Sequence, residues 1–70
     1  MKTRIYGRKD CHLCDEAKAM LSGVPAEYLD IATDRTLLAR YGMRIPVIAR
    51  PDGMELDWPF DREELRRFLG

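Results

Sequence analysis

No stretch of this 70-residue chain stays apolar for the ~20 residues that a spanning helix needs, so neither a transmembrane segment nor a membrane partner is expected. Charge of one sign is also missing. Twelve basic and twelve acidic residues leave a formal net charge of zero, so no global field steers the chain to nucleic acid or to an anionic surface. Basic and acidic residues are interleaved, the pattern of a solvated exterior. Met1-Lys2-Thr3-Arg4-Ile5-Tyr6 runs into Gly7-Arg8-Lys9-Asp10 without the apolar centre of a secretory leader, and the expected location is cytoplasmic. There is no internal repeat, linker or low-complexity tract, which predicts one domain over residues 1–70. Soft metal donors are scarce: two cysteines and one histidine do not make a closed four-ligand zinc site within one chain, although a site shared between two chains stays open.

What is present is a globular composition, with 46% hydrophobic and 34% charged residues, spread over short periodic runs bounded by turn residues. Lys2 to Tyr6 carries β-favouring Thr, Ile and Tyr and predicts a first strand, followed by a loop over Gly7–Asp10. From Cys11, apolar residues at Leu13, Cys14, Ala17, Met20 and Leu21 follow helical spacing until Ser22-Gly23. Ala26–Ile31 predicts a second strand, parallel to the first across the helix between them. Thr33 or Asp34 can cap a short helix with Leu37, Leu38 and Tyr41 on one face, ended by Gly42. Ile45–Arg50 predicts a third strand with Pro46 near its start. Pro51-Asp52-Gly53 is a turn, and Met54–Asp57 pairs back as a hairpin. After Trp58-Pro59-Phe60, Asp61 and Glu64 form a capping-box pattern ahead of a final helix with Leu65, Phe68 and Leu69 as its apolar stripe. The fold class is α/β in the order βαβαββα: a mixed four-stranded sheet with helices on both faces, the first and last helices on one side.

The chemistry concentrates at Cys11-His12-Leu13-Cys14, where the first strand has ended and a helix begins. A sulfur at a helix N-terminus lies near unpaired backbone N–H groups and the positive end of the dipole, which favour thiolate, the nucleophilic form. A Cys-x-x-Cys so placed, in a chain expected in a reducing compartment, reads as a redox pair rather than a structural bridge. His12 between the sulfurs can favour the thiolate when it is charged; Asp10 and Asp15 oppose it, and Arg8 and Lys9 oppose them. Arg8, Lys9 and Arg44 can form a basic rim for an anionic thiol, while Trp58 and Phe60 fit a small core better than a partner-docking platform.

Three features together, the Cys-x-x-Cys after strand one, Arg44-Ile45-Pro46-Val47 before strand three, and a hairpin followed by a terminal helix, resemble the glutaredoxin branch of the thioredoxin fold. The likeness covers nearly the whole chain and is nearest to small bacterial glutaredoxin-like proteins. It implies a small thiol–disulfide oxidoreductase in which Cys11 is the nucleophile and Cys14 the resolving cysteine. It implies a cis peptide before Pro46, with the Ile45 backbone pairing with bound glutathione or peptide, and a basic residue at Arg8 facing a glutathione carboxylate. Arg8, His12, Ile45 and Pro46 are thus the expected substrate-binding residues. No bound cofactor or metal is expected; glutathione as co-substrate or a disulfide-containing protein is the expected partner, and a monomer the expected state. Two departures stand out: Cys-His-Leu-Cys replaces the usual Cys-Pro-Tyr-Cys, and Leu56-Asp57-Trp58-Pro59-Phe60-Asp61 stands where glutaredoxins carry a Gly-Gly-x-Asp-Asp that holds the γ-glutamyl end of glutathione.

Two other readings compete. Small βαββαβ soft-metal carriers also place a Cys-x-x-Cys after their first strand, and thiolates suit Cu(I) or zinc. Such carriers have Met where this chain has Lys9, and they end in a strand. The same disulfide can also serve a redox sensor or adaptor without turnover.

Overall fold

The structure, a computed structural model, describes residues 2–70; Met1, included in the expected domain range, lies outside them. The elements are β1 (Thr3–Gly7), α1 (His12–Met20), β2 (Ala26–Asp30), a 3-10 turn (Ile31–Thr33), α2 (Arg35–Tyr41), β3 (Val47–Ala49), β4 (Glu55–Asp57) and α3 (Arg62–Leu69). The predicted order is found. The sheet runs β2-β1-β3-β4, with β1 parallel to β2 and antiparallel to β3, and β4 antiparallel to β3. The parallel pair needs the α1 crossover, whereas β3 and β4 are joined by a tight turn. In that turn the Gly53 N–H donates to the Arg50 carbonyl at 3.0 Å, and Gly53 takes φ +95°, a conformation that side-chain-bearing residues rarely adopt.

Alternation along the central strands divides the core in two. Ile5 and Ile48, directly opposite each other, pack with Ala17, Leu21, Phe60 and Leu65, which places α1 and α3 on one face. Their neighbours Tyr6 and Val47, also paired, pack with Ile31, Tyr41 and Ala49 on the face covered by α2. Ile48 is fully buried, so Ile48→Ala removes a side chain whose loss costs ~2–5 kcal/mol in a packed core. Phe60 is buried and meets the half-buried Trp58 edge-on at 5.0 Å between ring centroids, so this aromatic pair closes a core as expected.

Boundaries differ from the sequence reading for local reasons. Ile31 is buried but belongs to the 3-10 turn rather than to β2, because the Asp30 carboxylate accepts from the Ala32 N–H at 2.9 Å and turns the chain. Asp34, not Thr33, caps α2, accepting from the Leu37 N–H at 3.1 Å. β3 is shorter than Ile45–Arg50: Pro46 has no N–H, and the Ile45 N–H donates to the Tyr41 carbonyl at 3.1 Å instead of joining a ladder. At α3 the capping box is complete, with the Glu64 N–H donating to the Asp61 carboxylate at 2.7 Å and the Asp61 N–H to the Glu64 carboxylate at 3.3 Å. Leu13, assigned to the apolar stripe of α1, is 41% exposed, as is Leu38 on α2.

Candidate active site

The two cysteines are joined in a disulfide across the start of α1, with Cα atoms 5.1 Å apart. Cys11 is not inside the helix but is its N-cap: its backbone is extended (φ −103°, ψ 110°), and its Sγ accepts the Cys14 N–H at 3.1 Å. The sulfur thus fills the place that a Ser or Asp oxygen takes at other helix starts and satisfies one orphan donor. Burial separates the pair. Cys14 is fully buried, whereas Cys11 is half-buried and faces the surface side of the motif.

Gly7, read from sequence as the first loop residue, ends β1 beneath the buried sulfur. A Cβ at Gly7 would stand 3.0 Å from Cys14 Sγ, 3.1 Å from Cys14 Cβ and 3.3 Å from the Tyr28 ring. A side chain here would have to push Cys14 or the Tyr28 ring aside by a few tenths of an ångström. The signal was present in the sequence, as a glycine at a strand end just ahead of the motif.

Pro46 is fully buried and follows a cis peptide bond from Ile45, as the resemblance implies; the Trp58–Pro59 bond is cis as well, which nothing in the sequence marks. The β1–β3 register pairs Tyr6 with Val47, so Pro46 lies across from Gly7, itself in contact with Cys14. On its other side, the Pro46 carbonyl accepts the Trp58 N–H at 3.1 Å. The end of β1, the start of α1, Pro46 and Trp58 therefore meet at one end of the sheet. Ile45 is half-buried and its N–H is already committed to the Tyr41 carbonyl.

The other expected binding residues are outward. Arg8 is exposed, with no ion pair among the described residues, and its carbonyl accepts the Cys11 N–H at 3.3 Å. His12 is the first residue of α1, its side chain 89% exposed and its Nε2 3.7 Å from the Glu16 carboxylate one turn on.

Arg44 does not join a free basic rim. Its Nε and Nη2 fork onto the Asp57 carboxylate at 3.0 and 2.8 Å, and Nη2 also reaches Glu55 at 2.7 Å. The Tyr41 hydroxyl donates to the same Glu55 at 2.5 Å, and the guanidinium lies 5.1 Å from the centroid of the Tyr41 ring. Tyr41 in turn stacks on Tyr6 at 4.2 Å. The electrostatics follow. Burial, then the bond to Glu55, pushes the Tyr41 hydroxyl up to about 12. The Tyr41 bond first and Arg44 second hold Glu55 below its ordinary value, and the Arg44 bonds do the same for Asp57. The network clamps the segment before cis-Pro46 onto β4. It went unseen in the sequence because Met54-Glu55-Leu56-Asp57 reads as a strand with a solvated polar side, whereas that side meets Arg44 and Tyr41. Among the described residues no group of three or more His, Cys, Asp or Glu side chains is placed to hold a metal, and no helix is long and apolar enough to cross a membrane.

Comparison with known proteins agrees with this geometry. The family model described as Glutaredoxin-like domain (DUF836) matches residues 2–70. The crystal structure of the structural genomics target protein XcR50 from X. campestris is 43% identical, with a TM-score of 0.91 over 96% of this chain and 93% of that one. The solution structure of the same target gives a TM-score of 0.89 over 99% and 92%, also at 43% identity. The solution structure of protein Ne2328 from Nitrosomonas europaea is 28% identical, with a TM-score of 0.79 over 99% and 91%. No curated protein matches. A mixed four-stranded sheet with three helices, a Cys-x-x-Cys disulfide at the head of α1 and a family match along the described chain lead to one conclusion: the chain has the thioredoxin-like fold and belongs to the glutaredoxin-like family.

Proposed function

We propose that the protein is a thiol–disulfide oxidoreductase that works through the Cys11/Cys14 couple on glutathione mixed disulfides or protein disulfides in the cytoplasm. The observation that carries this reading is the asymmetry of the pair: Cys11 is half-buried at a helix N-cap, and Cys14 is fully buried with its N–H on the Cys11 sulfur. In the dithiol form the same N–H and the helix dipole favour a Cys11 thiolate. That thiolate attacks one sulfur of a substrate disulfide, forming a mixed disulfide and releasing the other sulfur as a thiolate. Cys14 then gives up its proton and attacks Cys11 Sγ. The internal disulfide forms, the second substrate sulfur leaves as a thiolate, and the two released thiolates take up two protons. Two electrons have passed from the dithiol to the substrate. Two equivalents of a small thiol of the glutathione class return the couple to the dithiol, becoming a disulfide themselves.

Pro46 closes the site opposite Gly7, the Ile45 carbonyl offers an acceptor to an extended substrate, and Arg8 and His12 are the exposed polar residues at the rim. With Arg44 committed to β4, Arg8 and Lys9 are the basic residues left for a glutathione carboxylate. The soft-metal reading has less support, because the element order here is βαβαββα and not the βαββαβ of such carriers.

An equilibrium titration against glutathione, followed by intact mass after trapping of thiols, tests the proposal. The internal disulfide, seen as loss of two hydrogens, is expected to form reversibly. Cys11→Ser is expected to abolish disulfide reduction, and Cys14→Ser to accumulate an adduct on Cys11. Full activity in Cys11→Ser, or no internal disulfide anywhere in the titration, overturns it.

A further inference from the structure

A groove of about 370 Å³ opens between the C-terminal end of α1 and α3, at the opposite end of α1 from the cysteines. Two smaller grooves, of about 250 and 150 Å³, lie over the β1 start and beside β2, and this groove alone of the three reaches the ~300 Å³ at which ligand pockets begin. Its apolar lining comes from Met20, Val24, Leu65 and Leu69. Val24 is an exposed large apolar residue, and Met20 and Leu69 are only partly covered. The lining is therefore continuous with the α1–α3 core but open to water.

The charged side chains that line the groove have one sign, and Ser22 and Gly70 complete its rim. Arg62 and Arg66 line it one turn apart on α3, and no acidic side chain lines it. Among the described residues neither makes an ion pair, unlike Arg67 on the same helix, which pairs with Glu63. By contrast, in the β1 groove Arg4 is paired with Glu27, and Arg50 with Asp52 and the Phe68 carbonyl.

The geometry points to a binding site for an amphipathic organic monoanion, with its apolar body against Met20, Val24, Leu65 and Leu69 and its carboxylate between Arg62 and Arg66. Two guanidiniums at this spacing present several N–H donors to one carboxylate, and the Ser22 hydroxyl lines the same groove. A neutral chain of equal length fills only half of this design, and a small inorganic anion the other half. The site is independent of the redox pair and stands whether or not the cysteines turn over.

The test is amide chemical-shift titration of the intact protein with decanoate, below the concentration at which it forms micelles, with decanol and inorganic phosphate as controls. Saturable shifts confined to Met20–Val24 and to α3 are expected with decanoate, and neither control should reproduce them. The Arg62→Gln/Arg66→Gln double variant, whose substitutions lie on an exposed helix surface, is expected to bind roughly tenfold or more weakly with an otherwise unchanged spectrum. Val24→Glu, which puts a like charge into the groove, is expected to block decanoate. An Arg35→Gln control, outside the groove, is expected to bind normally. Non-saturating shifts, equal binding of decanol, or undiminished binding to the double variant overturns the assignment. So does binding of an acidic amphipathic peptide where decanoate fails, which makes the groove a protein-docking surface instead.

Discussion

Replacing Gly7 with alanine introduces one methyl group at the most closely packed point beside the disulfide. The added Cβ stands 3.0 Å from Cys14 Sγ, 3.1 Å from Cys14 Cβ and 3.3 Å from the Tyr28 ring. Backbone strain does not enter, because Gly7 does not adopt a positive φ. The penalty is therefore overpacking, ~1–3 kcal/mol in a close-packed interior. In a domain of this size each 1 kcal/mol moves the Tm by ~4–8 °C. The penalty also depends on redox state. With the disulfide closed, Cys14 Sγ is tied to Cys11 and cannot rotate away; in the dithiol it is free to turn. Gly7→Ala is thus expected to destabilise the oxidised form more than the reduced form and to make the couple more oxidising. If 1.4 kcal/mol of the penalty is specific to the oxidised form, the potential rises by ~30 mV, the conversion for a two-electron couple. Thermal unfolding of both forms, with glutathione titration of the variant, measures every part of this. An equal loss of Tm in the two forms together with an unmoved potential refutes the contact with sulfur, and an unchanged Tm in both refutes the close approach altogether.

Acid stability follows from the clamp at Arg44. Glu55 and Asp57 have folded values below their ordinary 4.5 and 3.8, so their stabilisation is complete above that range and is lost as pH falls through the lowered folded values. The Glu55→Gln/Asp57→Asn variant is expected to show a flatter loss of stability between about pH 5 and pH 2 than the parent, in denaturant titrations at stepped pH; an unchanged slope counts against the clamp. Tyr41, raised to about 12, is expected to ionise last in an alkaline titration followed at 295 nm, and Tyr41→Phe is expected to remove that late component; its survival in the variant shows that the wrong tyrosine was assigned. Asp61→Ala removes the N-cap of α3 and half of its capping box, and is expected to cost ~1 kcal/mol; Asp61→Asn, which keeps an acceptor, recovers most of it, and equal losses in the two point away from capping.

The parts of the site governed by local rules were legible in the sequence. A cysteine motif at a strand-to-helix junction, an X-Pro ahead of a strand, a Pro-Asp-Gly turn and an Asp–Glu capping pattern each act within a few residues, and each appears where its pattern stands. What was misread depends on register. Arg44 lies 11 and 13 residues from Glu55 and Asp57, and only the pairing of β3 with β4 brings those carboxylates under the guanidinium. The bond from the Ile45 N–H to the Tyr41 carbonyl, made by the turn after α2, is likewise set by how that turn meets β3 and not by any local pattern. Leu13 fits the helical spacing of an apolar stripe, yet the face of α1 that the fold buries is the one with Cys14 and Ala17, and Leu13 stays exposed. Gly7 was read as a loop residue because glycine marks both turns and close approaches, and the choice between them is made by Cys14, seven positions on.

The divided core has a consequence for how such a site can change over time. The disulfide sits at the head of α1, which is packed into the Ile5–Ile48 half, whereas the Arg44 clamp is built on Tyr41, which belongs to the Tyr6–Val47 half. The two halves touch mainly through the backbone of β1 and β3. A lineage can therefore repack the side of the sheet behind the disulfide without disturbing the clamp on the other. Substitutions at Ala17 or Leu21 and substitutions at Tyr41 or Glu55 will combine additively, the behaviour of sites with no shared contacts. The sheet works as a partition, so the packing behind the disulfide and the packing behind the clamp are open to selection separately.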